Sequence, residues 1–380
     1  MKKALIVTIF KVPNFGSVLQ AYATQSIIEH LGYDCHVLNY DHNKSEWAKK
    51  YGVKRVSIKY KIGRLLGLKA SHRKANLLDS FINKHFHLTR QYNCLSEIEQ
   101  GEGDNYDVYI AGSDQIWNTK YTHCDPAFLL DFANAMKRRI SIASSFACKN
   151  LDEKYVDHFQ KQLSQFYAVS VREALGMDIL INIGIEKAHL VLDPTLLLDA
   201  RQWNVLRKKK DKPEKYILLY MWCYAFEPRP YIYEVLKYYK EQLQCKIIAL
   251  EGFDKHDVYM KALDIEDATE SSIPYFLDYF ADASLVVTSS FHGTAFAVNY
   301  GVPLLSIVPN SSDDRQSSLL GQLGLDQCRL IVNERIDTAI PFYDKNAEQK
   351  KLQSLRDDSL NWIENVLTVS YTHLTLPTNS

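Results

Sequence analysis

Short, continuous apolar runs alternate along the chain with longer amphipathic stretches. Ala4 to Ile9 is apolar but for Thr8, the pattern of a strand buried on both faces. After the loop KVPNFGS, residues 18–33 place Val18, Leu19, Tyr22, Ile27 and Ile28 on one helical stripe, with Gly32 where a helix-ending glycine belongs. CHVLNY then reads as a second strand, completing a strand–helix–strand unit. The rhythm continues through strands in YDVYIAG, RRISIASSF, FYAVSVRE and HLVLDPTLLL (189–198). Further on, YILLYMW, CKIIAL and SLVVTSS predict strands, and YEVLKYYKEQL and IPYFLDYFADA predict helices. No internal period of roughly 20 to 50 residues repeats, which excludes solenoids and propellers. The pattern predicts an α/β protein with two Rossmann-like domains, parallel sheets facing across a cleft, over residues 1–205 and 215–345. The charged, proline-containing RQWNVLRKKKDKPEKY between them reads as a linker. A helix over 346–367 is expected to pack back through Leu352, Leu355, Leu360, Ile363 and Val366.

Composition narrows the class without naming a reaction. Lys and Arg number 45 against 45 Asp and Glu, so the overall charge gives no reason to expect a nucleic-acid partner. Seven cysteines are scattered with no C-x-x-C pair, which indicates neither a zinc site nor a disulfide framework and favours a reducing compartment. No apolar run approaches the roughly 18 residues needed to span a bilayer. The expectation is a cytoplasmic protein, at most peripheral to the inner face of the cell membrane. One segment breaks the rhythm. Over residues 44–74 basic side chains dominate, against Glu46 alone, interleaved with Trp47, Tyr51, Ile58, Ile62, Leu65 and Leu66. That is either a solvated helical insertion or a surface for an anionic membrane. The final stretch, 368–380, has no periodicity and reads as a non-native tail outside the fold.

Candidate chemistry sits at strand ends. In TSSFHGTAFAVNYG the expected helix begins at Thr294, leaving Ser289 to Gly293 in an open turn beyond the strand. A helix N-terminus there presents unpaired N–H groups and partial positive charge, an anion site to which Ser289, Ser290 and Thr294 can add hydroxyls. Gly293 lets the backbone approach a ligand, and His292 can exchange a proton near neutral pH. The alternative is a histidine that only plugs the turn. Arg172, at another strand end, suits forked recognition of carboxylate or phosphate, or pairs with Glu173 or another acid. Ser113, Asp114, Gln115, Trp117 and Asn118 have the acids, amides and aromatic face that read a sugar, or form an Asx turn with Trp117 in the core. The loop holding Asn14, Gly16 and Ser17 precedes a helix carrying Gln20 and can hold an anion or a hydroxyl-rich ligand. G-x-G-x-x-G, Walker A and G-x-S-x-G motifs are absent.

NFGSVLQAYATQ, AGSDQIWN, SVRE, LDPTLLL, SSFHGTAFAVNYGVPLL and DDRQSSLLGQLGLDQCRL, in this order, resemble the polysaccharide pyruvyl transferase family, from about residue 3 to about 335. The resemblance implies a GT-B-like fold and transfer of pyruvate as a ketal from phosphoenolpyruvate to a sugar of a cell-surface polysaccharide or its lipid-linked precursor. It implies His292 and Arg172 as catalytic, with Ser289, Ser290, Gly293, Thr294, Arg172 and Arg315 around the donor. Asn14, Gly16, Ser17, Gln20, Ser113, Asp114, Gln115, Trp117 and Asn118 are then expected around the acceptor. Neither cofactor nor metal enters this scheme; phosphoenolpyruvate is a co-substrate. A nucleotide-sugar glycosyltransferase and a non-catalytic carbohydrate-binding relative fit the same scaffold.

Overall fold

The computed structural model describes residues 1–52, 58–223, 225–310 and 315–368. Residues 369–380 of the expected tail, Lys54, Arg55 and Val56 of the basic stretch, and Asp313 and Asp314 lie outside the described residues.

Twelve strands are described, all in parallel pairings: β1 (Lys3–Val7), β2 (Asp34–Val37), β3 (Val108–Ala111), β4 (Arg138–Ser141), β5 (Val169–Val171), β6 (Ala188–Leu190), β7 (Tyr216–Tyr220), β8 (Lys246–Glu251), β9 (Ile265–Asp267), β10 (Leu285–Thr288), β11 (Leu304–Val308) and β12 (Arg329–Ile331). The first sheet runs β2-β1-β3-β4, and the pair β5-β6 extends it through bridges at Ile140–Ala168 and Ser144–Val171. The second runs β12-β11-β10-β7-β8-β9. Strand order therefore reverses between β1 and β3 and again between β7 and β10, and ligands of such sheets bind outside the carboxyl ends at these reversals. Every residue of β7, β10 and β11 is buried, because helices cover both sheet faces; this is why their sequences are apolar without alternation.

Several elements start differently from expectation, the first helix at Phe15 and not Val18, so that Gly16 and Ser17 lie in its first turn. HLVLDPTLLL is a strand only at Ala188–Leu190; the Asp193 carboxylate then accepts from the Thr195 N–H at 2.9 Å and caps a short helix, Pro194–Leu197. A proline at the first helical position costs no hydrogen bond, so Asp-Pro starts a helix here. The helix after β10 begins at Phe291, not Thr294.

The halves are joined by apolar contact and by backbone capture. Phe15 stacks on Phe276 with ring centroids 4.7 Å apart, and Trp203 meets Phe296 at 5.4 Å. Asn299 donates to the Thr195 and Leu198 carbonyls, each at 2.7 Å. The charged stretch after residue 205 is pinned to the second half: Arg207 pairs with Asp278 at 2.7 Å, and Lys209 with Asp282 at 2.7 Å. The last helix, Lys345–Thr368, crosses to the first half, burying Leu352, Ile363 and Leu367. There Arg356 donates to the Leu196 carbonyl at 2.7 Å, and Tyr33 donates to the Leu367 carbonyl at 2.8 Å.

Candidate active site

Between the carboxyl ends of the two sheets lies a cavity of about 310 Å³. Its first wall comes from the loop after β1 (Thr8 to Asn14), from Tyr40 to Asn43 after β2, and from Asp114 and Gln115 after β3. Trp222 after β7, Ser290 to His292 after β10, and Arg315 form the other. Both order reversals thus open into one space.

His292 stands in the first helical turn and is buried, not in an open turn. The turn is tight because Thr288 Oγ1 accepts from the Ser290 N–H at 3.0 Å while donating to the Tyr220 carbonyl at 2.7 Å. Gly293 rides over this pair; a Cβ there would stand 2.2 Å from Thr288 Oγ1. Strand–helix packing, and not ligand approach, therefore demands that glycine. Across the cleft, Asn14 Oδ1 caps the helix Phe15–His30 by accepting from Gly16 N at 2.8 Å. Gly16 lies flat against the imidazole, where a Cβ would come 2.1 Å from His292 Nδ1. Two helix N-termini, one from each half, converge on this histidine, and both favour negative charge. Burial pulls the His292 pKa below its ordinary value, with Asp193 opposing and Arg172 adding to the fall. The ring is neutral at pH 7. Its Nε2 is buried with no hydrogen-bond partner, and Asp193 Oδ2 stands 3.9 Å away.

Behind the histidine is a buried charge cluster. Arg172 Nη1 meets Asp193 Oδ2 at 2.6 Å, Nη2 lies 3.6 Å from Asp114, and Nε lies 3.7 Å from Glu173. The guanidinium also sits 4.5 Å from the centre of the Phe291 ring. Burial works to raise the Asp193 carboxyl, but Arg172, His292 and the Thr195 donors outweigh it and hold it at about 2. Glu173 is fixed by the Phe146 and Ala147 N–H groups at 2.8 and 3.2 Å. Three carboxylates face one guanidinium, so an added anion here depends on the helix termini, Arg315 and a proton on His292. Asp114 connects cluster and cavity: its backbone is left-handed (φ 69°), and its carboxylate accepts from Ser17 Oγ at 2.6 Å. Aspartate enters that region more readily than most residues, and here it turns the carboxylate from the end of β3 towards Ser17.

Of the residues singled out in sequence, Asn14, Ser17, Asp114, Gln115, Ser290, His292 and Arg315 line the cavity. The others stand behind it. Arg172 is held by carboxylates instead of reaching the cavity with an open fork. Ser289 is engaged with Trp222, accepting from its N–H and donating to its carbonyl, both at 2.8 Å. Thr294 is fully buried against Ser306, and Ser113 donates to Asp193 at 2.9 Å. Gln20 is fully buried, its amide bonded to Thr8, Ile9 and Ser17. Trp117 is likewise a core residue, donating to the Phe128 carbonyl at 3.1 Å, because its strand-end turn points the indole inward. Asn118 caps the short helix Thr119–Thr122.

Sequence reasoning missed Asp193, Lys11, Asp41, His42 and Trp222. Asp193-Pro194 carried a helix-start signal that was readable; the others belong to no motif. His42 Nδ1 lies 3.0 Å from Asp125 and Nε2 3.1 Å from the Tyr121 carbonyl. Burial pulls the Lys11 ammonium, bonded to Asn39, below its ordinary pKa. Among the described residues no group of His, Cys, Asp and Glu is arranged to hold a metal ion.

A family model described as polysaccharide pyruvyl transferase matches residues 14–311. No curated protein is significantly similar to the chain in sequence. Among solved structures, a Listeria monocytogenes protein described as a UDP-N-acetylglucosamine 2-epimerase is similar over 97% of each chain, with 11% identity and TM-score 0.55. A second UDP-N-acetylglucosamine 2-epimerase is similar over 100% of both chains, with 10% identity and TM-score 0.54. The Neisseria meningitidis UDP-GlcNAc 2-epimerase bound to UDP-GlcNAc is similar over 97% of this chain and 99% of that one, with 9% identity and TM-score 0.50. At these identities the likeness is one of fold, and the fold is GT-B-like.

Proposed function

The chain belongs to the polysaccharide pyruvyl transferase family, and from that premise we propose that its donor is phosphoenolpyruvate and its product a pyruvate ketal on a sugar. The acceptor is a sugar of a cell-surface polysaccharide or of its lipid-linked precursor, met at the inner face of the membrane. The observation that carries this reading is His292: buried, neutral, with an unpartnered Nε2, at the meeting point of two helix N-termini. A donor bearing phosphate and carboxylate meets the partial positive charge of both helix ends, and Arg315 on the cavity wall adds a full positive charge. Its negative charge also raises the proton affinity of the imidazole, so donor binding converts His292 from a neutral ring into an acid.

The steps balance without a redox partner. His292 gives its proton to the methylene carbon of the donor, making the methyl group and leaving an oxocarbenium centre at C2. An acceptor hydroxyl attacks that centre and releases its proton to a base; Asp114, at the cavity wall, fits this role. A second hydroxyl of the same sugar attacks C2, the bond from C2 to the phosphate oxygen breaks, and inorganic phosphate leaves with the second proton. Arg172 acts as a positioning residue, holding Asp193 and Asp114 around the histidine.

Incubating the protein with phosphoenolpyruvate and a lipid-linked oligosaccharide fraction tests the reading. Release of inorganic phosphate, with a new ketal methyl resonance in the proton spectrum of the oligosaccharide, is expected. Donor that stays intact with every acceptor fraction, while a nucleotide sugar is consumed, overturns it.

A further inference from the structure

Away from the cavity, the excursion between β2 and β3 carries an apolar face that no described residue covers. Ile62, Leu65 and Leu66 stand at i, i+3 and i+4 along the helix Ile58–Leu65 and its closing turn, which places them on one side. Their exposure runs from 53% at Ile62 to 64% at Leu66 and 83% at Leu65. Gly67, with φ +61°, ends the helix, and Leu68 N donates to the Gly63 carbonyl at 3.0 Å. In such a turn the residue after the glycine ordinarily folds back on the helix. Leu68 instead is 65% exposed. The other side of the helix is occupied: Gly63 lies against His72, and Arg64 reaches Asn76 and Asp79. Lys69 is exposed beside Leu68, and Lys49 and Lys50 are exposed at the start of the excursion.

This excursion also touches the cavity wall. Lys74, on the helix Ala70–His85, is buried with its ammonium 4.6 Å from the Phe15 ring and 5.4 Å from the Trp222 ring, paired with Glu251. Trp222 lines the cavity. Arg73, next to Lys74 in the chain, pairs with Glu270 of the second half. A surface that docks through Leu65, Leu66 and Leu68 therefore sets the orientation of the cleft.

We propose that this face docks on a bilayer containing anionic phospholipid, with Leu65, Leu66 and Leu68 entering the boundary between headgroups and acyl chains. Two observations favour a bilayer over a second copy of the chain. A stable protein interface takes roughly 20–30 residues a side, far more than this ridge offers. Lys69 adjoins Leu68 and is exposed, and exposed lysines outnumber acids at the start of the excursion (Lys49 and Lys50 against Glu46), a balance that attracts anionic headgroups and disfavours a facing copy. That the docked surface also brings a lipid-linked acceptor to the cleft rests on the proposed function; the docking itself does not.

Co-sedimentation of the full chain with vesicles tests this, using phosphatidylcholine alone and phosphatidylcholine mixed with phosphatidylglycerol. Binding to the mixed vesicles is expected to exceed that to neutral ones by on the order of tenfold at low salt, and to fall on raising it. The variant Leu65→Ser/Leu66→Ser/Leu68→Ser should bind on the order of tenfold more weakly with an unchanged melting temperature, since these side chains are exposed. Lys49→Gln/Lys50→Gln/Lys69→Gln should lose the preference for anionic vesicles. Equal binding to both vesicle types, or wild-type binding by the triple serine variant, overturns the proposal. So does a wild-type dimer in light scattering that the serine variant dissolves without any vesicle binding, since a second copy is then the occupant. The assay contains neither donor nor acceptor, so its outcome is independent of whether phosphoenolpyruvate is the donor.

Discussion

Replacing Gly16 by alanine adds one methyl group where the two halves of the protein meet at His292. The new Cβ would stand 2.1 Å from Nδ1, 2.2 Å from Cγ and 2.7 Å from Cβ of that histidine. Ordinary carbon contacts begin near ~3.5 Å, so the imidazole must retreat by more than about 1 Å. A displacement of that size at a reacting group costs on the order of 10²-fold in turnover. Overpacking costs about 1–3 kcal/mol, while alanine in place of glycine in a helix returns up to about 1 kcal/mol. The single variant should therefore lose about 2.7 kcal/mol of transition-state stabilisation, against a net stability loss of about 0–3 kcal/mol. A double-mutant cycle isolates the cause: in a His292→Gly background the ring and its Cβ are both gone, and Gly16→Ala should become neutral or mildly stabilising. Calorimetric melting of the four proteins reads a coupling of about 0.5–3 kcal/mol, and phosphate release from phosphoenolpyruvate reads the catalytic loss. If Gly16→Ala lowers stability equally in both backgrounds, or keeps wild-type turnover, the close approach of the two helix ends is not what positions His292.

Four other expectations follow from the buried charges. Arg172→Met strands Asp193 without its partner and should cost about 3–5 kcal/mol, with Asp193→Asn in the same chain restoring part of it; an unchanged melting temperature would contradict the pairing. Glu348 is raised to about 7 by burial, so between the ordinary glutamate range and pH 7 the unfolded chain ionises while the folded one does not, and stability falls as pH rises. Glu348→Gln should thus melt higher than wild type at pH 8, with the gap narrowing towards pH 5. Asp193, held at about 2, contributes stability that is complete above the ordinary aspartate range and lost as pH falls towards 2. His292, with its pKa lowered, adds to acid sensitivity as pH falls through the ordinary histidine range, so His292→Ala should flatten the pH–stability curve there.

The parallel sheets were legible because strands buried on both faces must be continuously apolar, as β7, β10 and β11 are. Helix starts were not. Gly293 reads as a breaker by propensity, yet it occupies a first turn where only the packing of Thr288 and Tyr220 demands a bare backbone. Trp117 between acids and amides suggested a sugar platform, but the direction of an indole at a strand end is decided by tertiary packing. The partnership of Arg172 with Asp193 spans elements that no local pattern links. His42 and Lys11 reach the cavity from separate loops, and neither has neighbours in sequence that mark it.

The central claim is that His292 and the two helix N-termini around it form a phosphoenolpyruvate site. Calorimetric melting of wild type and His292→Ala, each with phosphoenolpyruvate and separately with UDP-N-acetylglucosamine, addresses it most directly. At a hundredfold excess over its dissociation constant a ligand stabilises by about 2.7 kcal/mol, well above what such a measurement resolves. Phosphoenolpyruvate should raise the melting temperature of the wild type and leave His292→Ala unmoved, while the nucleotide sugar moves neither. Stabilisation of the wild type by the nucleotide sugar, with none from phosphoenolpyruvate, would contradict the account.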